Sequence, residues 1–139
     1  MSWFVAASLA AVFAAATAIL AKVGVKDVNS NLATAIRTVV ALGFAWGIVF
    51  IEGSHKELRS ISNYSLTFLV LSGIATGLSW LFYFRALQIG NASQVAPVDK
   101  FSLVLTVIFA AVFLGEELTW PIAGGTVLIT IGTLIIAFS

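Results

Sequence analysis

The sequence of 139 residues has no cysteine, one histidine and few charged residues. Without cysteine the chain forms neither disulfides nor thiolate metal sites, and His55 has no second histidine or cysteine with which to hold a metal. Charged residues make up 9% of the chain, against about 25% in an ordinary soluble domain, while 60% of the residues are hydrophobic. So few charges do not cover the surface of a soluble fold of this size, and the composition therefore indicates an integral membrane protein.

The remaining charge and motif content excludes further classes of function. The net charge is +1 and basic residues form no run, so no nucleic-acid partner is expected. The sequence has no glycine-rich phosphate loop, no metal-ligand cluster and no nucleophile with an accompanying base. We therefore expect neither an enzyme nor a protein that needs a metal or another cofactor.

The sequence does contain five apolar segments, each close to the roughly 20 residues that a membrane-spanning helix needs. The predicted spans are Trp3–Ala21, Leu32–Ile51, Ser65–Gln88, Ser93–Gly115 and Thr119–Phe138. No basic residues precede the first segment, which favours a retained helix over a cleaved leader. The joints are too short to hold a second domain. Residues 1–139 are therefore expected to form a single all-α transmembrane domain.

An odd number of spans places the two termini on opposite sides of the membrane. We call the N-terminal side A and the C-terminal side B. Lysines and arginines of the loops set orientation, and here they divide equally. They are Lys22 and Lys26 on side B and Lys56 and Arg59 on side A. The basic residues within the spans, Arg37, Arg85 and Lys100, tilt the count to side B and favour a C-terminus inside the cell.

Asp99 and Lys100 stand side by side in the fourth segment, within "APVDKFSLVLTVIFAAVFLGEEL". A span that began after them, Phe101–Gly115, would rise only about 22 Å against a hydrocarbon core of about 30 Å. Both charges are therefore expected inside the bilayer, where such groups face a bundle interior or a wet cavity and find partners. Pro97 either bends this helix by freeing a carbonyl near Ser93 or lies in its first turn, and both alternatives stay open.

Four of the segments carry small polar residues at helical spacing. The stripes are Thr34, Arg37, Thr38 and Ala41; Ser72, Thr76, Ser79 and Tyr83; Asp99, Ser102, Thr106 and Ala110; and Thr126, Thr130 and Thr133. A single stripe is explained by hydroxyls that bond to their own helix or join two helices. Taken with Arg37, Asp99 and Lys100, the stripes favour a shared polar path. Trp80 either packs in the core or walls a substrate site, and Arg85 either snorkels or takes part in function.

The third and fourth segments resemble a known family. The end "FYFRAL" of the third, the very short joint "IGNA", the stretch "APVDK" and the exit "LGEELT" are similar to the EamA-type domain of the drug/metabolite transporter superfamily, in its single-domain branch of five helices. This resemblance covers the whole chain. It implies one half of an inverted-repeat transporter, secondary transport of small metabolites by alternating access, and the cytoplasmic (inner) membrane of a prokaryote.

The last segment resembles the dimerisation helix of the small multidrug resistance relatives. The matching positions are Gly125, Leu128, Ile129 and Gly132. The resemblance implies a homodimer, with antiparallel protomers. Those relatives carry an essential glutamate in their first helix, whereas the first segment here has no acid, which argues against cationic drug efflux. The intramembrane charges are mostly basic, so an anionic or zwitterionic substrate is expected.

The expected substrate-binding residues are Arg37, Trp80, Tyr83, Asp99, Lys100, Ser102 and Thr106. Asp99 would be the protonatable or pairing group, and Lys100 and Arg37 would attract the negative charge of the substrate. Two other functions stay open. One is a flippase that grips a lipid or lipid-linked headgroup, and the other is a membrane protein that binds other chains without transport.

Reporter fusions test the predicted topology. Fusions after Asn31, at Ser60 and after Asn91 are expected to lie on alternating sides of the membrane, because one span separates each site from the next. Compartment-specific reporters measure this directly. A pattern that requires four or six spans would contradict the topology.

Overall fold

The computed structural model describes residues 1–139 and contains helices but no strand. Its α-helices are α1 Trp3–Gly24, α2 Ser30–Glu52, α3 Asn63–Ile89, α4 Ala92–Asp99, α5 Ser102–Phe109 and α6 Trp120–Ala137, with a 3₁₀ helix at Ser54–Ser60 and a π turn at Ala110–Leu114. The helices α4 and α5 and the π turn follow one another over Ala92–Leu114, which gives five helical runs long and apolar enough to cross a membrane. The prediction of five spans is confirmed, and the chain is a multi-pass membrane protein.

The helices extend beyond the apolar runs that predicted them. α1 continues to Gly24 instead of ending at Ala21, so Lys22 lies in its last turn and not in a loop. The start of α2 is set by Asn29, whose side chain accepts the N–H groups of Asn31 and Leu32 at 2.9 and 3.3 Å. Its end is set by Gly53, which has a φ of 78° that favours glycine. Capping residues therefore set these ends more closely than polarity does.

The chain folds as two compact units. The middle unit is Leu20–Gln88, and the terminal unit is Met1–Ile19 with Ile89–Ser139. α2 and nearly all of α3 belong to the middle unit, whereas α4, α5 and α6 belong to the terminal unit.

The middle unit is held by a polar clamp between the end of α3 and the segment that follows α1. The ammonium of Lys22 donates to the carbonyl of Leu87 at 2.6 Å. The amide nitrogen of Gln88 donates to the carbonyls of Val25 and Val28 at 3.3 and 2.8 Å. Val25 and Leu87 are fully buried, and backbone carbonyls at such places need donors from the protein. The clamp supplies those donors.

Arg85 completes this clamp from the exposed side. Its guanidinium donates to the side-chain oxygen of Gln88 at 3.0 Å. Because an amide has a fixed donor end and a fixed acceptor end, this contact orients the nitrogen of Gln88 toward the two loop carbonyls. Arg85 therefore has a structural contact in addition to the two roles that the sequence left open.

In the terminal unit, α6 packs against both α4 and α5. Its packed face is formed by half-buried or buried residues at helical spacing, namely Ala123, Thr126, Thr130 and Thr133. The opposite side of α6 is apolar and open, with Leu128 71% exposed. The threonine stripe thus belongs to the packed face of the helix.

Substitution of Gln88 by alanine tests the clamp. It removes the donor for two carbonyls, and each unsatisfied buried group costs about 1–3 kcal/mol, so Gln88→Ala is expected to lower the unfolding midpoint in detergent by several degrees. Gln94→Ala is the matched control, since the Gln94 side chain has no hydrogen-bond partner in the structure. Equal midpoints for the two variants would contradict the clamp.

Candidate functional site

The fourth helical run is interrupted at the charged pair. α4 ends at Asp99 and α5 begins at Ser102, and a turn at Lys100 and Phe101 separates them. The N–H of Phe101 donates to the Val98 carbonyl at 3.0 Å, three residues back, where an α-helix would use the carbonyl of residue 97. The N–H groups of residues 103 and 104 likewise bond three residues back, at 2.9 and 3.0 Å. Across the break the backbone is therefore wound more tightly, in a 3₁₀ pattern, and the spacing of side chains around the helix axis changes there.

Pro97 lies inside α4, which begins at Ala92, so the alternative that placed it in the first helical turn is wrong. It has no N–H to give to the carbonyl of Ser93, and its ring crowds that carbonyl. The carbonyl of Pro97 also lacks its usual α-helical donor, because the N–H of Phe101 donates to the carbonyl of Val98 instead. Proline and break together weaken the backbone ladder on both sides of residue 97.

The freed carbonyl of Pro97 finds a donor on another helix. The hydroxyl of Thr133 in α6 donates to it over a long 3.5 Å, and Thr133 is only 8% exposed. Thr133 is the exception among the threonines of the spans. The hydroxyls of Thr17, Thr34, Thr38, Thr67, Thr76, Thr106, Thr126 and Thr130 each donate to the carbonyl four residues earlier in their own helix. Those hydroxyls satisfy their own helices, and Thr133 alone supports the break.

Asp99 and Lys100 form the one ion pair of the chain. The Lys100 ammonium lies 3.6 Å from a carboxylate oxygen of Asp99, and the two side chains are 53% and 33% exposed. Charge-assisted hydrogen bonds are about 2.7–2.9 Å long, so this pair is loose. Lys100 is exposed and Asp99 is half-buried, so both side chains remain accessible from outside the chain.

Two of the other predicted residues adjoin this pair. Ser102 is the first residue of α5, and its carbonyl accepts the hydroxyl of Thr106 at 2.8 Å. Both side chains are exposed. Asp99, Lys100, Ser102 and Thr106 thus form one group in the terminal unit.

Arg37 is the centre of a second group, in the middle unit. Its guanidinium carbon lies 4.3 Å from the centroid of the Trp80 ring and 5.4 Å from that of Phe84. Trp80 and Phe84 are four residues apart on α3 and present one face to α2. Tyr83 is half-buried beside Phe84 on the same helix, with the two ring centroids 6.4 Å apart. Arg37 has no carboxylate partner.

The structure therefore divides the seven predicted residues into two groups. Sequence reasoning identified Arg37, Trp80 and Tyr83 but missed Phe84, although its spacing of four residues from Trp80 was a usable signal. It also missed Thr133 as a partner of Pro97. That contact joins residues far apart in the chain and left no local pattern.

Comparisons with known proteins agree with this architecture. The EamA-like transporter family matches residues 1–138. A Sinorhizobium protein described as an uncharacterized transporter in the cobO 3′ region is 48% identical over 136 residues, which cover 98% of this chain and 96% of that protein. An uncharacterized protein of Methanocaldococcus jannaschii is 30% identical over 105 residues, 69% of this chain and 77% of that protein. No solved structure matches the chain at a significant level.

Proposed function

Because this chain belongs to the EamA-like transporter family, we propose that it is a secondary transporter of small anionic or zwitterionic metabolites that works by alternating access. The family is one of transporters and not of enzymes. The observation that carries the finer proposal is the interrupted fourth span, in which a loosely paired Asp99 and Lys100 stand at the break between α4 and α5.

An interrupted helix of this kind suits a transport site. Backbone groups without a helical partner and charged side chains are costly in hydrocarbon, and spanning helices keep them where they line a cavity or meet a ligand. Discontinuous helices hold substrate and coupling ions in many transporters built from repeats. The freed Pro97 carbonyl and the loose ion pair supply both features within one short stretch of sequence.

Each predicted residue has a role in this proposal. Asp99 takes up and releases a proton, and Lys100 attracts a negatively charged group. Ser102 and Thr106 are exposed on α5 next to this pair and offer oxygen atoms to a polar substrate. Arg37 attracts anions, and Trp80 and Tyr83 form an aromatic wall beside it. These assignments yield two separable tests, one for the terminal unit and one for the middle unit.

Substitutions of the ion pair test the proposal. Asp99→Asn is expected to abolish proton-linked uptake because an amide does not take up a proton, and Lys100→Ala is expected to weaken uptake of anions about tenfold. Uptake of a panel of labelled organic acids and amino acids into proteoliposomes under an imposed pH gradient measures both effects. Glu116→Gln, at an exposed acid beyond the helical run, is the matched control.

The proposal also includes a homodimer, since the chain corresponds to one half of an inverted-repeat transporter. The α6 face formed by Gly125, Leu128, Ile129 and Gly132 is available for a second copy. Leu128 is 71% and Ile129 42% exposed, and a methyl group added at either glycine would meet no neighbouring atom of the chain. Small residues let backbones approach closely in lipid. We propose an antiparallel arrangement in the cytoplasmic membrane of a prokaryote; the two relatives are bacterial and archaeal.

Leucine at the glycines tests this face. Gly125→Leu and Gly132→Leu are expected to shift the protein toward monomer in native mass spectrometry, because the added side chains keep the two backbones apart, while the space around each Cβ position is open within the single chain. Gly43→Leu, at an equally open glycine of α2, serves as control. A dimer that persists in both α6 variants would place the interface elsewhere. A reporter on Ser139 that is active on only one side of the membrane would contradict the antiparallel arrangement.

A further inference from the structure

The guanidinium of Arg37 is a permanent charge whose hydrogen-bonding groups have no partner in the chain. The single ion pair of the protein joins Lys100 and Asp99, so no carboxylate neutralises Arg37. No hydrogen bond runs from Arg37 to another residue, and its guanidinium lies against the rings of Trp80 and Phe84. A guanidinium carries five N–H donors and keeps its charge throughout the physiological pH range. On a spanning helix such a group calls for a partner from outside the chain.

The aromatic rings leave the donors of Arg37 free. The Trp80 ring lies 4.3 Å and the Phe84 ring 5.4 Å from the guanidinium carbon, and Phe84 is buried whereas Trp80 is half-buried. Aromatic rings attract the cation through their faces and accept none of its N–H groups along the edge. The contact restricts the side chain, while its edge keeps the fork of donors that fits two oxygens of one planar anion. Arg37 is thus held in place with its directional bonds unused.

The other basic residues of the spans in this unit are already engaged. Lys22 donates to the Leu87 carbonyl and Arg85 to the Gln88 side chain. One unengaged positive charge, with apolar rings beside it, matches a ligand group of one negative charge. A dianionic phosphate would require further donors, and the other basic side chains in the spans of this unit already donate to groups of the protein.

We propose that Arg37, held by Trp80 and Phe84, binds the carboxylate group of the substrate through two parallel N–H bonds, which assigns the substrate to the small carboxylic acids, amino acids included. This inference rests on the proposed transport function and narrows it. Trp80 and Phe84 are positioning residues here, because they act by fixing the guanidinium. Lysine at position 37 would keep the charge but lose the two-pronged geometry.

Trp80 also provides a direct signal of binding that needs no transport. The full chain is purified in detergent with Trp3→Phe, Trp46→Phe and Trp120→Phe, so that Trp80 is the remaining tryptophan. An anion that pairs with Arg37 changes the charge 4.3 Å from the indole and therefore its fluorescence. Acetate and glycine are titrated as carboxylates, acetamide as a neutral planar analogue, and inorganic phosphate and phosphatidylglycerol micelles as phosphate sources.

The expected result is a saturable fluorescence change with acetate and glycine and none with acetamide. Arg37→Lys and Arg37→Gln should each weaken the apparent affinity for carboxylates at least about tenfold. Because the lysine variant keeps the positive charge, a weaker affinity in that variant shows that the two parallel N–H bonds are needed. Arg85→Gln, which removes a comparable side chain from the same unit, should bind as the parent does.

Three results would overturn the inference. They are no saturable response to carboxylates, an unchanged response in Arg37→Gln, and a response to phosphate or to phosphatidylglycerol alone. The last result would assign Arg37 to a free or lipid-borne phosphate. Binding without uptake in proteoliposomes would sustain the carboxylate site while contradicting the transport function, so the two failures are distinguishable.

Discussion

The structure depends on one constraint, that every backbone polar group placed in a membrane needs a partner within the protein. Helices meet this constraint along most of the chain, and the threonine hydroxyls add bonds to their own helices. At the ends of helices the constraint needs side chains, which explains why Gln88 and Lys22 donate to carbonyls 60 to 65 residues away in sequence. Where the ladder is interrupted at Pro97, Thr133 of another helix supplies the donor.

The two charged groups of the molecule meet this constraint in different ways. At Asp99 and Lys100 opposite charges partly neutralise one another, and the interruption of the helix lies at the same residues. At Arg37 the helix is continuous and the charge rests on aromatic faces without an acid. One group is therefore nearly neutral in a weakened backbone, and the other is cationic in a regular one.

The sequence predicted the five helices because length and apolarity suffice to define a span. It predicted their ends less well, since Asn29 and Gly53 act through capping geometry, and since polar residues such as Lys22 continue a helix without penalty. It singled out Arg37 and Trp80 separately, because an arginine inside a span and a tryptophan away from its ends are unusual, but it did not predict that they lie against each other. It did not show that Thr133 serves Pro97 or that Gln88 serves Val25 and Val28, because these pairings arise only when distant segments meet.

α6 combines two requirements in a single helix of 18 residues. One face supplies the hydroxyl of Thr133 to the interrupted helix, and the other is open and apolar, with glycines at positions 125 and 132. Gly132 and Thr133 are neighbours in sequence, yet they have different requirements: the proposed dimer would need small size at position 132, and the Pro97 carbonyl needs a hydroxyl group at position 133. Natural variation should therefore be unequal along this helix. Thr126 and Thr130 bond only to their own turns, so residues of similar size without a hydroxyl group, such as alanine or valine, lose no bond to another helix there, whereas position 133 should accept little besides threonine and serine.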